Sequence, residues 1–346
     1  MTDLQIPPEP VTSAGPENDE GLTPSSGTYG HPCSHESPDD LVTIAITTYN
    51  RADGFLRNAI SSALAQTHRN LHVIIADNCS EDHTKEVVES FRDERIDYVR
   101  HESNMGPYLN YNFCVERARG KYFCLLHDDD MMDPDFVAAC LARSQGAGAF
   151  GLIQTGTRVI DGEGNILRIA PNRGGGGGAE GFVAAWFENR FSPYLCSTMF
   201  VTDVLREIGG FEVGNILGDV RAEYLLALKS GWLTIEEIKG SFRHHDSKLT
   251  HATKVKAWCV DSVNLMDEML ASIPPQRRPE LSRLGKKMLA RMNFSRVAHV
   301  ESASQRILAN FTVMRKFGIY RPFAFNLGLK RKLCRIMGVG KQSELS

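Results

Sequence analysis

The chain has 346 residues, 42% of them hydrophobic, and a net charge of -3, so it can bury one substantial α/β core with an appended unit. No apolar run approaches the roughly 20 residues that span a bilayer, and the N-terminus lacks the features of a signal peptide. The cysteines form no C-x-x-C pair, so reduced thiols are expected rather than a zinc site or a disulfide framework. We expect a cytoplasmic chain with no nucleic-acid partner.

The first 40 residues contain acidic residues but no lysine or arginine, and they are rich in proline, serine and glycine. Such a segment has too little apolar surface to offset the entropy of ordering. We therefore expect a disordered acidic tail over residues 1–39.

From residue 41 onwards, segments with strand periodicity alternate with segments with helical periodicity. The predicted strands cover residues 41–47, 71–76, 96–99 and 122–126, and the predicted helices cover residues 55–64, 87–91 and 107–118. Such alternation predicts a mostly parallel sheet covered on both faces. Ligands of these sheets bind beyond the carboxyl ends of the strands.

Polar residues follow the first two predicted strands. The first strand ends at Thr47, and Thr48, Tyr49, Asn50 and Arg51 come directly after it. Asp77 follows the second. A tyrosine ring can stack on a base and a carboxylate can accept a base N–H, so this edge favours a nucleotide site. The alternative for the second loop is an Asx turn that caps the next helix.

Three consecutive acids, Asp128, Asp129 and Asp130, follow the strand predicted at residues 122–126. Carboxylate oxygens are hard ligands that suit Mg²⁺ or Mn²⁺, and such ions commonly also bind substrate phosphates. The triplet therefore predicts a cation site for a diphosphate-bearing substrate. The alternative is a solvated acidic turn, with Asp133 as the cap of the following helix.

The order of these segments resembles that of glycosyltransferase family 2. The resemblance rests on residues 46–51, 70–82 and 104–122 and on the acid triplet, and it extends from about residue 41 to residue 251. It implies an α/β fold of the GT-A type, which is a Rossmann-like nucleotide-binding fold with a mostly parallel central sheet flanked by helices. It also implies inverting transfer of a sugar.

The resemblance implies a role for each residue at the strand ends. The implied nucleotide-binding residues are Thr47, Thr48, Tyr49, Asn50, Arg51, Asp77, Asp128 and Asp129. Tyr49 would lie against the base and Asp77 at the base edge. Asp130 would be the main ligand of the cation, with help from Asp129, and Asp128 would lie near the ribose or the metal. Arg51 would contact phosphate, and its alternative is a surface salt bridge.

The resemblance places a catalytic base at Asp219, in a Gly-Asp pair where the family commonly has Glu-Asp. A carboxylate suits this role because the acceptor hydroxyl must lose its proton as it attacks. Glu223 is the second candidate for the base, and the alternative for Asp219 is an ordinary helix N-cap. Near the end of the resemblance, His245 would bind the metal or the diphosphate, and its alternative is a packing or surface histidine.

Two glycine-rich segments receive other interpretations. Residues 146–151 match G-x-G-x-x-G, but they follow a helix and precede a strand, the reverse of the dinucleotide-binding context. The five glycines at residues 174–178 lack the Lys-Ser/Thr of a phosphate loop. We expect them to form either a lid beside the acceptor cleft or a flexible linker.

The sequence beyond residue 252 predicts a C-terminal helical extension. Its helices are expected at residues 260–270, 281–299 and 304–317, followed by a segment that interleaves cations with apolar residues. That segment favours contact with an anionic membrane, and the alternative is a packed or solvated basic helix. The predicted organisation is thus a catalytic domain over residues 40–251, a helical region over residues 252–320 and a basic amphipathic tail over residues 321–346.

Together these features predict a metal-dependent enzyme that uses Mn²⁺ or Mg²⁺. It would move a sugar from a nucleoside-diphosphate sugar, with UDP or dTDP favoured, to a hydroxyl acceptor in polysaccharide, glycolipid or glycoconjugate synthesis. The alternatives are a nucleotidyltransferase and a non-catalytic nucleotide-sugar-binding protein.

Overall fold

The computed structural model describes residues 40–244, 255–300 and 302–318. The acidic and basic tails predicted at the two ends lie outside these residues. All described residues fall in one structural unit, Ser37–Ser346. The domain boundary predicted at residues 251–252 lies in a part of the chain that the structure leaves undescribed.

A nine-stranded sheet is the centre of the described fold. The strands are β1 (Val42–Thr48), β2 (Leu71–Asp77), β3 (Ile96–Arg100), β4 (Tyr122–His127), β5 (Met131–Met132), β6 (Leu152–Ile160), β7 (Ile166–Ala170), β8 (Thr198–Val201) and β9 (Trp232–Arg243). Their order is β3-β2-β1-β4-β8-β6-β9-β5, and β7 pairs with β6 outside this path.

Helices cover the sheet and extend beyond it. Those in the first part of the chain are α1 (Leu56–Leu64), α2 (Thr84–Glu89), α3 (Pro107–Arg117), α4 (Phe136–Ser144), α5 (Ala179–Phe187), α6 (Thr202–Glu207) and α7 (Gly218–Ser230). After the sheet come α8 (Val255–Ala271), α9 (Arg278–Val297) and α10 (Ala303–Phe317). Among the described residues, no helix combines the length and the apolar character that a membrane crossing requires.

The α/β fold class predicted from the sequence is confirmed. Strands β1 to β4 are parallel neighbours, and every residue of β1 and β2 is buried, as expected for a sheet with helices on both faces. The second half of the sheet is mixed, because β8 runs antiparallel to both β4 and β6. Because β8 is antiparallel to both of its neighbours, β6 runs in the same direction as β4. β9 is parallel to β6, so both strands end at the same edge of the sheet as β4.

The helices after β9 pack against α5, α7 and the loop before α7. Asp261 of α8 accepts a hydrogen bond from the Ile216 N–H at 2.9 Å. Further along α8, Glu268 forms two 2.7 Å hydrogen bonds with the Arg221 guanidinium of α7. In α9, the backbone at Gly285 approaches the ring of Phe187 so closely that a Cβ there would lie 2.8 Å from a ring carbon.

This close contact predicts the effect of Gly285→Ala on stability. Overpacking costs about 1–3 kcal/mol, while alanine gains up to about 1 kcal/mol in helix propensity. We therefore expect a net loss of roughly 1 kcal/mol in the free energy of unfolding, measured by urea titration. The matched control is Gly148→Ala, where the added Cβ meets nothing within 4 Å. A Gly285→Ala variant as stable as the control would contradict the close packing of α9 on α5.

The glycine run at residues 174–178 packs against the first residue of β9. The Gly177 N–H and C=O both bond to the backbone of Trp232, at 2.9 and 2.8 Å. A Cβ on Gly174 would lie 2.3 Å from the Trp232 ring. Trp232 begins β9, so it lies roughly 30 Å from the acid-bearing edge at about 3.3 Å per residue. This packing gives Gly174 and Gly177 a structural role at the start of β9, and the lid or linker beside the acceptor cleft stays a prediction.

Candidate functional site

The loops after β1 and β2 are joined by Asn50. Its N–H donates to the Ser80 hydroxyl at 2.8 Å, and its side-chain oxygen accepts the Glu81 N–H at 2.8 Å. Asn50 has a positive φ of 53°, which asparagine tolerates better than most residues. The side chain of Asn50 thus fixes the loop, while the neighbouring Tyr49 is 43% exposed and presents its ring to solvent.

Asp77 lies at the end of β2 and is fully buried. One carboxylate oxygen accepts the Ser80 N–H at 2.8 Å, and the other accepts the Tyr98 hydroxyl at 2.8 Å. Burial and then the Asp77 hydrogen bond raise the pKa of Tyr98, so this hydroxyl stays a donor. The structure therefore contains a turn at Asp77, which the sequence offered as the alternative to a contact with the nucleotide base. The nearby Asn78 joins the same loop to Met105 through a 2.9 Å hydrogen bond.

The acid triplet contributes two of its carboxylates to a three-residue group at the end of β4. One ligand atom each from His127, Asp129 and Asp130 lies within 4.8 Å of the others. Asp129 and Asp130 are buried and His127 is half-buried. The His127 Nε2 lies 3.0 Å from the Tyr111 hydroxyl, and its Nδ1 lies 3.7 Å from an Asp130 oxygen. Tyr111 therefore orients the imidazole toward the acids, as second-layer partners do in metal sites.

Arg243, the last residue of β9, positions the acid triplet, because β9 pairs with β5, which directly follows the triplet. Its N–H donates to an Asp130 oxygen at 2.9 Å, and its Nε donates to the Asp129 carbonyl at 3.0 Å. The guanidinium carbon lies 4.1 Å from the centre of the Phe55 ring. Burial lowers the pKa of Arg243, and the two acids oppose that shift. Nearby in the sequence, His245 lies outside the described residues, so its predicted metal role stays a prediction.

The first acid of the triplet, Asp128, faces a different set of groups. Its carboxylate lies 4.0 Å from the Arg51 Nε, and it is not part of the group formed by His127 and its two acids. Burial and then the Asp129 charge raise the pKa of Asp128 to about 6, while Thr48, Arg51 and His127 oppose the increase. Asp128, predicted as a further metal ligand, thus faces the end of β1. Thr47 is buried at the same strand end.

Asp219 lies in the first turn of α7, and the residue at the N-cap is Leu217. The N-cap alternative for Asp219 is therefore wrong; its carboxylate accepts the adjacent Val220 N–H at 2.8 Å. The preceding residue, Gly218, is closely packed, because a Cβ there would lie 2.8 Å from the Glu212 carbonyl oxygen. Burial raises the pKa of Asp219, and the charges of His127 and Arg296 partly oppose this.

Tyr111 connects Asp219 with the acid triplet. Burial raises the pKa of Tyr111, and the next contributions come from Asp219 and from the three triplet acids. A neutral tyrosine in hydrogen-bond contact with His127 thus lies within electrostatic range of both acidic groups. The structure therefore brings the predicted base and the predicted cation ligands into one region at the carboxyl edge of β4.

Glu223, the second candidate for the base, lies one turn further along α7 and is fully buried. Its two oxygens accept hydrogen bonds from Gln154 at 2.8 Å and from Thr198 at 3.1 Å. Burial and then the Asp219 charge raise the pKa of Glu223 well above its usual range. This carboxyl, with an internal donor on each oxygen, joins α7 to the sheet, which favours Asp219 as the base.

The helical extension supplies a cation near Asp219. The guanidinium carbon of Arg296 in α9 lies 3.5 Å from the centre of the Trp258 ring in α8. Trp258 lies one turn before Asp261, which binds the Ile216 N–H just ahead of α7. Burial lowers the pKa of Arg296 to about 10, and the Asp219 charge opposes this decrease. The sequence analysis missed Arg296 and His127, although His127 directly precedes the triplet.

The donor set of the three-residue group fits a divalent cation. Two carboxylates and one imidazole suit Mn²⁺ well, and carboxylates with phosphate oxygens suit Mg²⁺. The imidazole of His127 is oriented by Tyr111, and the backbone N–H of Arg243 fixes one oxygen of Asp130. The residues present therefore fit the metal that the sequence predicts.

Comparison with known proteins gives a family match for the first part of the chain. The family model described as "Glycosyl transferase family 2" matches residues 43–199. The succinoglycan biosynthesis protein ExoO of Rhizobium meliloti (strain 1021) is 36% identical over 118 residues, which cover 34% of this chain and 33% of that protein. The chain thus matches about a third of the length of this relative.

Solved structures of GT-A glycosyltransferases share the fold of this chain. Residues 1–349 of S. aureus TarS in complex with UDP-GlcNAc align with a TM-score of 0.53 at 12% identity, covering 81% of this chain and 93% of that one. The mannosyltransferase PcManGT of Pyrobaculum calidifontis, in complex with GDP-Man and Mn²⁺, aligns with a TM-score of 0.54 at 16% identity. The alignment covers 85% of this chain and 80% of that one.

Proposed function

Because residues 43–199 belong to glycosyltransferase family 2, we propose that this protein transfers a sugar, with inversion, from a nucleoside-diphosphate sugar to a hydroxyl acceptor. The observation that most supports the proposal is that the charges of Asp219 and of the triplet acids both act on Tyr111, whose hydroxyl contacts His127. A transferase needs both groups at one reacting centre, one for the acceptor proton and the other for the departing diphosphate.

The donor nucleotide is assigned to the loops after β1 and β2. Tyr49 offers an exposed aromatic face for the base. Arg51, close to Asp128 at the same edge, offers a cation for phosphate. A base N–H would meet Asp77 together with the Tyr98 hydroxyl that already bonds it. UDP and dTDP are the favoured donors, and the sugar nucleotides bound by the two structural neighbours support the nucleoside-diphosphate-sugar class.

We assign the divalent cation to Asp130, Asp129 and His127. When bound there, Mn²⁺ or Mg²⁺ would offset the negative charge that develops on the diphosphate leaving group. The mannosyltransferase neighbour that binds Mn²⁺ supports this assignment. Arg243 keeps Asp130 in place through the backbone hydrogen bond and does not itself need to contact the donor.

We assign Asp219 the role of the base that accepts the proton of the attacking hydroxyl. Inversion requires the acceptor to approach the anomeric carbon from the side opposite the diphosphate, so the base and the cation site must flank the sugar. Asp219 must be ionised to accept a proton, and the Val220 N–H hydrogen bond and the positive charge of Arg296 favour that form. The buried Glu223 supports α7 beneath it. The succinoglycan relative supports a role in polysaccharide or glycoconjugate synthesis.

A thermal-shift screen tests the proposed donor class. Nucleoside diphosphates and their sugars are added with and without Mn²⁺, because a ligand that binds only the folded protein raises its Tm. We expect a shift for one nucleotide family that increases with the metal. Release of a nucleoside diphosphate in the presence of acceptor supports sugar transfer, whereas release of pyrophosphate would make the protein a nucleotidyltransferase.

The charge of Arg296 predicts a shift in the pH dependence of transfer. The pKa of Asp219 in the folded protein lies above its ordinary value, which is about 4. The base is lost when Asp219 is protonated, so kcat/KM should fall as the pH drops through the raised pKa of Asp219. Arg296→Gln removes a charge that lowers this pKa, so its acidic limb should lie at higher pH than in the wild type. The matched control is Arg291→Gln, an exposed residue of the same helix. If the acidic limb of the pH profile lies at the same pH in both variants, Arg296 does not act on Asp219.

A further inference from the structure

Helix α10 presents large apolar side chains to solvent. Ile307 is 72% exposed, Leu308 is 65% exposed and Phe311 is 59% exposed. Folded proteins rarely expose several large apolar groups side by side without using them as an interaction surface. The three residues define what we call the α10 outer face.

The opposite side of α10 is fixed to the protein. Val313 and Phe317 are buried in the same hydrophobic core that contains the residues of α8 and α9. At about 100° per residue, Ile307, Phe311 and Leu308 fall within roughly 100° of one another on the helix. This sector lies opposite the buried one, so α10 is a docked helix with an apolar outer stripe.

The charge pattern of α10 is one-sided. The helix contains no aspartate or glutamate, and Arg315 and Lys316 are exposed in its last turn. Beyond the described residues, positions 319–346 contain six lysines and arginines and one glutamate. An apolar stripe with cations at its end is typical of a helix that lies in the interface of an anionic membrane.

A second copy of the chain is a poorer occupant of the same face. A symmetric dimer would place the α10 outer face against itself. Such a pair would offer Arg315 and Lys316 no carboxylate on the partner helix, because α10 contains no aspartate or glutamate, and uncompensated like charges at an interface reduce affinity. A bilayer with anionic headgroups complements both the apolar stripe and the cations.

We propose that the α10 outer face binds the surface of an anionic lipid bilayer, with Ile307, Leu308 and Phe311 inserted at the level of the headgroups. The binding is peripheral and reversible, because three side chains and a few cations give far less affinity than a spanning helix. The surface is separate from the candidate transfer site, so the proposal holds whether or not the transferase proposal is correct.

Co-sedimentation of the full chain with vesicles tests this surface. Wild-type protein should bind vesicles of mixed phosphatidylglycerol and phosphatidylcholine, and it should bind pure phosphatidylcholine weakly. The triple variant Ile307→Ser/Leu308→Ser/Phe311→Ser should lower the partition coefficient at least ~10-fold, because burial of apolar area drives insertion. Arg315→Gln/Lys316→Gln should weaken binding only to the anionic vesicles, and high salt should have the same effect.

The matched control removes as many exposed apolar groups from another surface. Ile166, Leu167 and Ile169 in β7 are 57%, 57% and 58% exposed, and their triple serine variant should sediment like the wild type. An equal Tm for both triple variants confirms that they fold. Unchanged sedimentation of the α10 variant would overturn the proposal. A wild-type dimer that the α10 substitutions convert to a monomer would also overturn it.

Discussion

Asp219→Asn is expected to reduce sugar transfer at least ~10²-fold, the usual lower range for loss of a general base. Asparagine keeps the size of the side chain and its oxygen, so the hydrogen bond from the Val220 N–H can persist. Donor binding should therefore stay within about two-fold of the wild-type affinity, since the carboxylate acts only on the acceptor proton. Steady-state kinetics for transfer and calorimetric titration for donor binding measure the two effects separately.

Glu223→Gln is the matched control, on the same helix and one turn away. Glutamine keeps an acceptor oxygen for the Gln154 amide, and its own amide N–H can donate to the Thr198 hydroxyl, which can donate to the Tyr194 carbonyl instead. The raised pKa of Glu223 already favours a neutral group there. Transfer should change by no more than a few-fold. The opposite result, with Glu223→Gln inactive and Asp219→Asn active, would move the base to Glu223. Full activity of both variants would mean that neither is the base.

Asp129→Asn/Asp130→Asn is expected to remove the contribution of the metal to donor binding. Loss of two anionic ligands should weaken the metal-dependent part of the affinity at least ~10²-fold, because changes even in outer partners of metal sites cost 10–100-fold. Asparagine at position 130 can still accept the Arg243 N–H, so the strand end should keep its structure. Titration of a nucleoside diphosphate with and without Mn²⁺ measures the effect.

The control for this pair is Asp135→Asn. Asp135 lies close in sequence, but its carboxylate contacts the Lys239 ammonium at 2.6 Å rather than the acid group. This variant should keep the full Mn²⁺ dependence. A double variant whose donor affinity still rises with Mn²⁺ as in the wild type would place the cation elsewhere.

The sequence alone predicted the features that depend on local periodicity. The runs that became β1, β2 and β4 are continuous, apolar and rich in β-branched residues, which is the pattern of buried parallel strands. Because parallel strands end at one edge, the loop after β1, Asp77 and the triplet could be expected near one another. The first four strand positions follow this expectation closely.

Features that depend on distant contacts could not be predicted in the same way. His127, at the end of β4, is directed to the acids by Tyr111, which lies on helix α3. Arg243 reaches Asp130 because β9 pairs with β5, the short strand that directly follows the triplet, and this pairing joins segments more than one hundred residues apart. The glycines at residues 174–178 gave a local signal of flexibility, but their use depends on Trp232, more than fifty residues later.

Some of the predicted site residues also have structural partners that the sequence did not reveal. Asn50 joins two loops through its backbone and side chain. Asp77 forms the predicted turn and also accepts the Tyr98 hydroxyl. These contacts fix the two loops before any nucleotide binds, which reduces the entropy lost on binding.

Crystals soaked with a nucleoside diphosphate and Mn²⁺ test the central claim most directly. Anomalous scattering locates the manganese without reference to the surrounding atoms. The account predicts one manganese peak within bonding distance of Asp130 and of the diphosphate oxygens, with Tyr49 against the base. A nucleotide bound elsewhere, or a diphosphate at this edge with no manganese between it and the acids, would contradict it.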